Sequence, residues 1–390
     1  MAGKSGKRKI CVIITTRGNY AKMKSVIKGI LARPDLQLQL ILGGGVILEK
    51  YGRVLDMSEG ADFPVDRHIP FLLEGETPVT MAKSAGIAVS EFSTAFEDLK
   101  PDVVIVIADR FESLAIAMAA TYMNIPIVHV EGGEVSGSID ESIRHAITKM
   151  AHLHFPASEE AAQRIERMGE APKTIFTVGA TSLDVILELD LNDLSPVMAA
   201  QEVSGLGPPQ ALVPGEYLIV IQHPVTTEYA DNLAHINETV EAIDALKRPT
   251  IWIWPNMDAG SNGVSKGIRV YREQRRPTHV HFFKSLPIEL FAPLLKNAAC
   301  IVGNSSSGIR ESAFLGTPCV NVGTRQNGRD RGRNVVDVGY DAGAIRAAIE
   351  HQIAHGRYPA DPIYGNGAAW QKMVEVLAEY QFTLQKQITY

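Results

Sequence analysis

Residues 103–133 read VVIVIADRFESLAIAMAATYMNIPIVHVEGG, and this stretch decides the fold class. Val103–Ile107 is an unbroken apolar run without the polar alternation of a half-exposed strand. A helical pattern over Glu112–Tyr122 follows, then a second apolar run at Ile127–Val130. Strands buried on both faces and joined by a helix belong to a parallel sheet with helical cover. Working outward, the same alternation predicts strands at Ile10–Thr15, Leu36–Leu42, Leu153–Phe155 and Ile175–Val178. Helices are predicted over Ala21–Ala32, Val79–Leu99, Glu141–Ala151 and Glu159–Met168. After Gly179 the pattern weakens. Residues 187–214 carry LNDLSP, SGLGPPQ and VPGE, the Asp, Pro and Gly punctuation of a linker. The alternation then resumes with strands at Tyr217–Ile221, Thr250–Trp254, Val280–Phe283, Ala299–Val302 and Pro318–Val322. The helices between them are Asn232–Leu246, Val264–Gln274, Ile288–Lys296 and Gly308–Leu315. The expectation is an α/β protein of two Rossmann-like doubly wound domains, 1–186 and 215–366, with a linker at 187–214. A C-terminal helix within 367–390 is expected to pack back on the first domain.

A chain of 390 residues exceeds what one core usually holds, which agrees with two domains. With 38 Lys plus Arg against 44 Asp plus Glu, the net charge is −6. That balance argues against a nucleic-acid or anionic-membrane surface spread over the protein. Three cysteines (Cys11, Cys300 and Cys319) lie in apolar runs without metal-ligand spacing and read as buried thiols in a reducing compartment. No apolar run approaches a membrane span and the basic start lacks a signal-peptide core, so a cytoplasmic location is expected.

Ligands of open parallel sheets bind beyond the carboxyl ends of the strands, so the residues just after each predicted strand are the candidates for a site. Thr16-Arg17-Gly18-Asn19-Tyr20 follows strand one and opens a helix, a setting suited to an anion. Neither G-x-G-x-x-G nor a P-loop is present, against a dinucleotide or P-loop kinase site. Ala108-Asp109-Arg110-Phe111-Glu112 places a carboxylate and a guanidinium at a strand end, although Asp109 also suits a helix N-cap. His129-Val130-Glu131-Gly132-Gly133-Glu134 continues through Asp140, Arg144 and His145, with glycines that allow close backbone approach to a ligand. Asp109, Glu131 and Asp140 near successive strand ends are candidates for acid and base. His129, His145, His152 and His154 do not follow H-E-x-x-H, so no metal is expected. In the second half, Gln222-His223-Pro224 and Pro255-Asn256-Met257-Asp258-Ala259-Gly260 follow strands. Gly303-Asn304-Ser305-Ser306-Ser307-Gly308-Ile309-Arg310-Glu311 opens a helix and suits a diphosphate without a lysine, with Glu311 placed to accept from ribose hydroxyls. Arg325 follows the next strand and can reach phosphate.

Taken together, TTRGNYAKM, HVEGGEVSGSIDESIRHAITK, PNMDAG, GNSSSGIRESAFLGTP and GTRQNGR resemble, in that order, the hydrolysing UDP-N-acetylglucosamine 2-epimerases of sialic-acid-type sugar synthesis. HVEGGEVSGSIDESIRH marks the branch, because the non-hydrolysing enzymes carry an alanine-glycine pair where this chain has Gly132-Gly133. The resemblance implies a glycosyltransferase-B-like pair of Rossmann domains with a central cleft. It assigns chemistry to Asp109, Glu131 and Asp140, with His223 near the departing phosphate. Arg17, Arg110, Asn256, Ser305, Ser306, Glu311 and Arg325 match nucleotide or diphosphate contacts, and Gly132, Gly133, Arg144 and His145 match the surroundings of the substrate. The family usually has glycine at the position of Ala108.

The implied reaction removes the C2 proton as the C1–O bond to UDP breaks, giving 2-acetamidoglucal and UDP. Water then adds at C1, and C2 is reprotonated on the opposite face to release N-acetylmannosamine. No cofactor is required, the partner is a UDP-sugar, and a homodimer or homotetramer is implied. Three alternatives remain open at this point. They are a UDP-2,4-diacetamido-trideoxyhexose substrate on the legionaminic acid route, a glycosyltransferase on the same fold, and a nucleotide-sugar sensor without turnover.

Overall fold

All five residues of Val103–Ile107 are buried, and they alternate between two apolar layers. Val103, Ile105 and Ile107 face one core with Ile10, Val12 and Ile14, whereas Val104 and Val106 face another with Cys11 and Ile13. This explains why the run carries no polar residue: neither face of the strand meets water. The computed structural model describes residues 6–48, 63–75, 77–137, 139–255 and 260–389. The chain divides into two compact units, one of Met1–Glu134, Asp140–Val185 and Gly365–Tyr390, the other of Val135–Ile139 and Ile186–Tyr364.

The first unit contains a six-stranded sheet of β1 (Arg8–Ile14), β2 (Leu36–Gly43), β3 (Arg67–Ile69), β4 (Val103–Ile107), β5 (Ile127–Val130) and β6 (Leu153–Phe155). Their order is β3-β2-β1-β4-β5-β6, all parallel. The second unit contains β7 (Leu218–Ile221), β8 (Thr250–Ile253), β9 (Val280–Phe283), β10 (Cys300–Gly303), β11 (Cys319–Val322) and β12 (Val335–Val338). Read from β9, its order is β9-β8-β7-β10-β11-β12, again all parallel. Both sheets therefore have the doubly wound order, with the switch in chain direction between β1 and β4 and between β7 and β10. In sheets of this order, ligands bind beyond the carboxyl ends of the strands at the switch point.

Several expectations need correction. Ile175–Val178 is not a strand: only Ile175 bridges, to His154. The edge strands β3 and β12 were not anticipated, because each is short and partly solvated, without a continuous apolar signal. Residues 187–214, read as linker, carry a helix at Ser195–Val203 and belong to the second unit. Proline at the second helical position is compatible with that start, since its missing N–H is one the first turn leaves unused.

The last helix spans Ala369–Glu379, inside the expected 367–390, and belongs to the first unit. Its first amides donate to Asp184, at 2.8 Å from Ala369 N and 2.9 Å from Trp370 N, which satisfies donors the helix leaves open. Trp370 lies where a Cβ on Gly29 would stand, 2.7 Å from its ring, so the helix Arg17–Ala32 needs glycine there. Beyond it, Lys386 Nζ bonds Glu170 Oε2 at 2.8 Å and the Lys149 carbonyl oxygen at 2.8 Å.

Glu170 is buried among Lys386, Lys149 Nζ at 2.6 Å and His154 Nε2 at 3.2 Å. Burial works against its charge, but the hydrogen bonds from His154, Lys149 and Lys386 outweigh it and draw the carboxyl down to about 2. A carboxyl depressed on folding contributes stability above its unfolded pKa, and that contribution fades as pH falls. Wild type is therefore expected to lose stability relative to Glu170→Gln as pH drops from the ordinary glutamate value toward 2. Urea unfolding of both proteins at pH 6 and pH 3 checks this. An equal gap at the two pH values counts against a charged Glu170.

Candidate functional site

In the first unit, β4 and β5 each end on a left-handed non-glycine residue, Ala108 at φ 56° and Glu131 at φ 61°. An alanine in that region costs about 1–2 kcal/mol relative to right-handed backbone, and glycine removes this penalty, which gives a physical reason for glycine at the Ala108 position. His129 holds the strain in place. Its Nε2 bonds the Ala108 carbonyl at 2.9 Å and its Nδ1 bonds Thr148 Oγ1 at 3.1 Å. Burial pushes the His129 pKa down to about 3, so the ring is neutral and serves as a strut between the β4 turn and the helix Asp140–Met150.

Asp109 is not the cap of the helix that follows: Phe111–Tyr122 has Arg110 at its N-cap, with no side-chain capping bond. Asp109 instead forms an ion pair with Arg144, which is 1% exposed and also donates to the Glu134 carbonyl at 2.7 Å. Burial opposes the Arg144 charge, while Asp109, Glu134 and Asp140 act on it in the other direction and raise its pKa. Two of the expected carboxylates, Asp109 and Asp140, thus share the field of one buried guanidinium. The third, Glu131, is 1% exposed and pairs through Oε2 with Lys22 Nζ at 2.6 Å.

Lys22 was not singled out from the sequence, although a signal was present. Thr16, Asn19 and Lys22 recur every three residues and so share one side of the helix Arg17–Ala32. Thr16 caps that helix by accepting from Asn19 N at 3.2 Å. Glu134, also buried, belongs to the same motif as Glu131, and its carbonyl accepts from Arg144.

Protein fills the positions a side chain would take at Gly132 and Gly133. A Cβ on Gly132 would lie 2.7 Å from His129 Nδ1, and one on Gly133, at φ 78°, would lie 2.2 Å from the Ala161 carbonyl oxygen. Arg110 Nε reaches Glu112 Oε1 at 2.7 Å. His145, one residue beyond Arg144, is half-buried with Nε2 3.6 Å from Glu141, and burial lowers its pKa. The side chain of Arg17 and the whole of Asn256 lie outside the described residues. Among the described residues, no group of three His, Cys, Asp or Glu is arranged to hold a metal ion. None of the helices described is long and apolar enough to cross a membrane.

In the second unit, His223 follows β7 and Ser305 follows β10, the two strands of the switch point. The segment after β10 differs from the expected helix over Gly308–Leu315. Ser306–Gly308 is a single 3-10 turn capped by Ser305 Oγ, and the α-helix proper spans only Glu311–Leu315. Cys319 Sγ lies 2.9 Å from where a Gly308 Cβ would stand, which keeps this turn close against β11. A helix of five residues offers little macrodipole, so the polar groups this segment presents are hydroxyls, turn amides and a nearby cation. Glu311 is buried, and Ser305, Ser306 and Arg325 are partly exposed. Arg325 Nη1 donates to the Asn304 carbonyl at 3.2 Å, and Arg325 O accepts from Gly137 N at 3.1 Å. Asp109, Asp140 and Arg144 are thus gathered in one unit with Glu131 and Lys22 at the neighbouring strand end. His223, Asn304, Ser305 and Arg325 are gathered in the other.

Comparison with known proteins bears on this arrangement. The chain is 34% identical over 370 residues to a UDP-N,N'-diacetylbacillosamine 2-epimerase (hydrolyzing) of Legionella pneumophila, covering 95% of each chain. It is 33% identical over 362 residues to a UDP-N-acetylglucosamine 2-epimerase of Neisseria meningitidis, covering 93% of this chain and 91% of that one. In fold it matches a crystal structure of UDP-GlcNAc 2-epimerase from Neisseria meningitidis bound to UDP-GlcNAc, with a TM-score of 0.75 and 18% identity. That match covers 95% of this chain and 100% of the other. The architecture is accordingly the glycosyltransferase-B-like one. The family model described as UDP-N-acetylglucosamine 2-epimerase matches residues 28–378, nearly the whole chain. The protein belongs to the UDP-N-acetylglucosamine 2-epimerase family, a family of UDP-sugar enzymes with relatives of the hydrolysing type.

Proposed function

We propose that this enzyme converts a UDP-2-acetamido sugar and water into UDP and the free C2-epimeric sugar. The observation that carries the reading is the pair of carboxylates at the ends of β4 and β5, each held by its own cation, Asp109 by Arg144 and Glu131 by Lys22. Carboxylates fixed in this way are suited to moving a proton and to stabilising positive charge at an adjacent carbon.

In the first step a carboxylate takes the C2 proton while the C1–O bond electrons leave with UDP, forming the 2-acetamidoglucal. In the second, water adds its hydroxyl to C1 and C2 receives a proton on the opposite face. Glu131 and Asp140 are assigned to proton transfer. Asp109, balanced by Arg144, is assigned to positioning and charge stabilisation. His223, Ser305, Ser306 and Arg325 take the diphosphate, and Glu311 takes the ribose. UDP-N-acetylglucosamine is the first substrate to test.

A second reading places UDP-N,N'-diacetylbacillosamine in the same site. It rests on two relatives of nearly equal identity, 34% and 33%, whose names give different sugars. The two sugars share the acetamido group at C2 and differ farther round the ring, so overall identity does not choose between them.

Proton NMR in deuterated water with each UDP-sugar decides. The expected result is UDP together with a free 2-epimeric sugar carrying deuterium at C2. Release of UDP only when an acceptor sugar is added points instead to a transferase. Binding of UDP without turnover of either sugar points to a sensor.

A further inference from the structure

The sequence places Asn304 between a glycine and three serines, a setting in which it reads as one more polar group of an anion loop. The structure gives it a different task. Asn304 is 1% exposed. Its Oδ1 accepts from His223 N at 2.6 Å, and its Nδ2 donates to His223 O at 2.9 Å. A carboxamide bonded to both sides of one residue's backbone imitates a neighbouring strand, here beyond Ile221, where β7 ends.

The same residue holds a second partner. Its carbonyl oxygen accepts from Gln326 Nε2 at 2.8 Å and from Arg325 Nη1 at 3.2 Å. Its own amide donates to Ile221 O at 3.0 Å. Gly303 makes the close approach possible: it stands at φ 124°, and a Cβ there would lie 2.0 Å from the Ile221 carbonyl oxygen. Asn232 repeats the device on Val225, two residues past His223, accepting from its N–H at 2.9 Å and donating to its carbonyl at 3.1 Å.

We propose that Asn304 is a positioning residue that fixes the His223 backbone and the Arg325 guanidinium together, through bonds made by its side chain and its own peptide. The inference rests on the reading that His223 and Arg325 serve the diphosphate of a UDP-sugar. The residue type matters. Aspartate keeps the acceptor for His223 N but sets a carboxylate oxygen against the His223 carbonyl, where asparagine donates. Alanine removes both bonds. Because backbone bonds to Ile221 and the Arg325–carbonyl bond survive either change, the fold has other anchors at this point.

The test uses the full-length protein and whichever UDP-sugar it turns over, with UDP affinity measured in parallel by calorimetry. Misplacement of a reacting group by about 1 Å costs about 100-fold in rate, so Asn304→Ala is expected to lower kcat by about that factor. The effect on KM is expected to be smaller. His223→Ala is also expected to be slow, and the double variant should be no slower than His223→Ala within about threefold, because residues acting through one another are not additive. Double-variant losses equal to the product of the single losses would overturn the positioning role, as would Asn304→Ala turning over at the wild-type rate. Should Asn304→Ala fail to fold, the isosteric Asn304→Asp carries the test. It is expected to change the imidazole NMR signals of His223 and their response to UDP, and unchanged signals would refute the proposal. Wild-type rate and UDP affinity in His223→Ala would remove His223 from the site and overturn the reading and the inference together. Additivity with a slow His223→Ala would overturn the inference alone.

Discussion

Replacing Glu131 by glutamine is expected to slow release of UDP from the UDP-sugar by about 10²–10⁴-fold, the range a positioned acid or base contributes, with UDP affinity nearly unchanged. Glutamine keeps the shape of the side chain and can no longer take a proton from C2. Loss of deuterium incorporation at C2 should accompany the loss of rate, since both depend on the same transfer. The immediate setting is polar and enclosed: Glu131 is 1% exposed, at the left-handed end of β5, with Lys22 Nζ 2.6 Å from Oε2. Rapid-quench or continuous UDP-release kinetics read the effect. A Glu131→Gln enzyme within about threefold of wild type would assign the C2 proton elsewhere, with Asp140 the next residue to test. Lys22→Met offers an internal comparison. It leaves the carboxylate in place and takes away its cation, so turnover should fall, but less than in Glu131→Gln.

The second large effect concerns stability as well as rate. Arg144→Met is expected to cost about 3–5 kcal/mol in unfolding free energy, the typical result of removing one member of a buried ion pair. The guanidinium is 1% exposed and joins Asp109 to the Glu134 carbonyl, so its loss strips two acceptors of a charged donor. The companion variant Arg144→Met/Asp109→Asn should recover part of that loss, because removing both charges costs less than stranding one. Urea unfolding of the two variants and the wild type gives the comparison. Equal stability of Arg144→Met and wild type would mean that the pair contributes nothing to the fold. Turnover should stay low in both variants, since restored stability does not restore the field over the substrate.

Much of this molecule was legible in the sequence for a definite reason. Strands such as Val103–Ile107 and Leu218–Ile221 are buried on both faces, so their apolar runs are unbroken and easily read. Edge strands lack that signal. Arg67–Ile69 and Val335–Val338 are short and half-solvated, and nothing local distinguishes them from loop. The start of Ala369–Glu379 is anchored from far along the chain, where Asp184 receives its first amides, a pairing that leaves no local mark in the sequence.

For the site, the sequence by itself determined which residue types stand after which strands: Asp109 after one, Glu131 after the next, and in the second half His223 and Ser305 each after a strand of its own. That follows from chain order alone, because a doubly wound sheet presents its strand ends in a fixed arrangement. Pairing was decided only in three dimensions. Lys22 meets Glu131 across 109 positions and Asn304 meets His223 across 81, separations over which sequence carries no local trace. The glycines make the same point. Gly132 and Gly133 read as glycines that allow close backbone approach to a ligand, and the fold adds that His129 and the Ala161 carbonyl occupy the space a side chain would need. A sequence records where a side chain is missing, and only the folded packing shows what fills the gap.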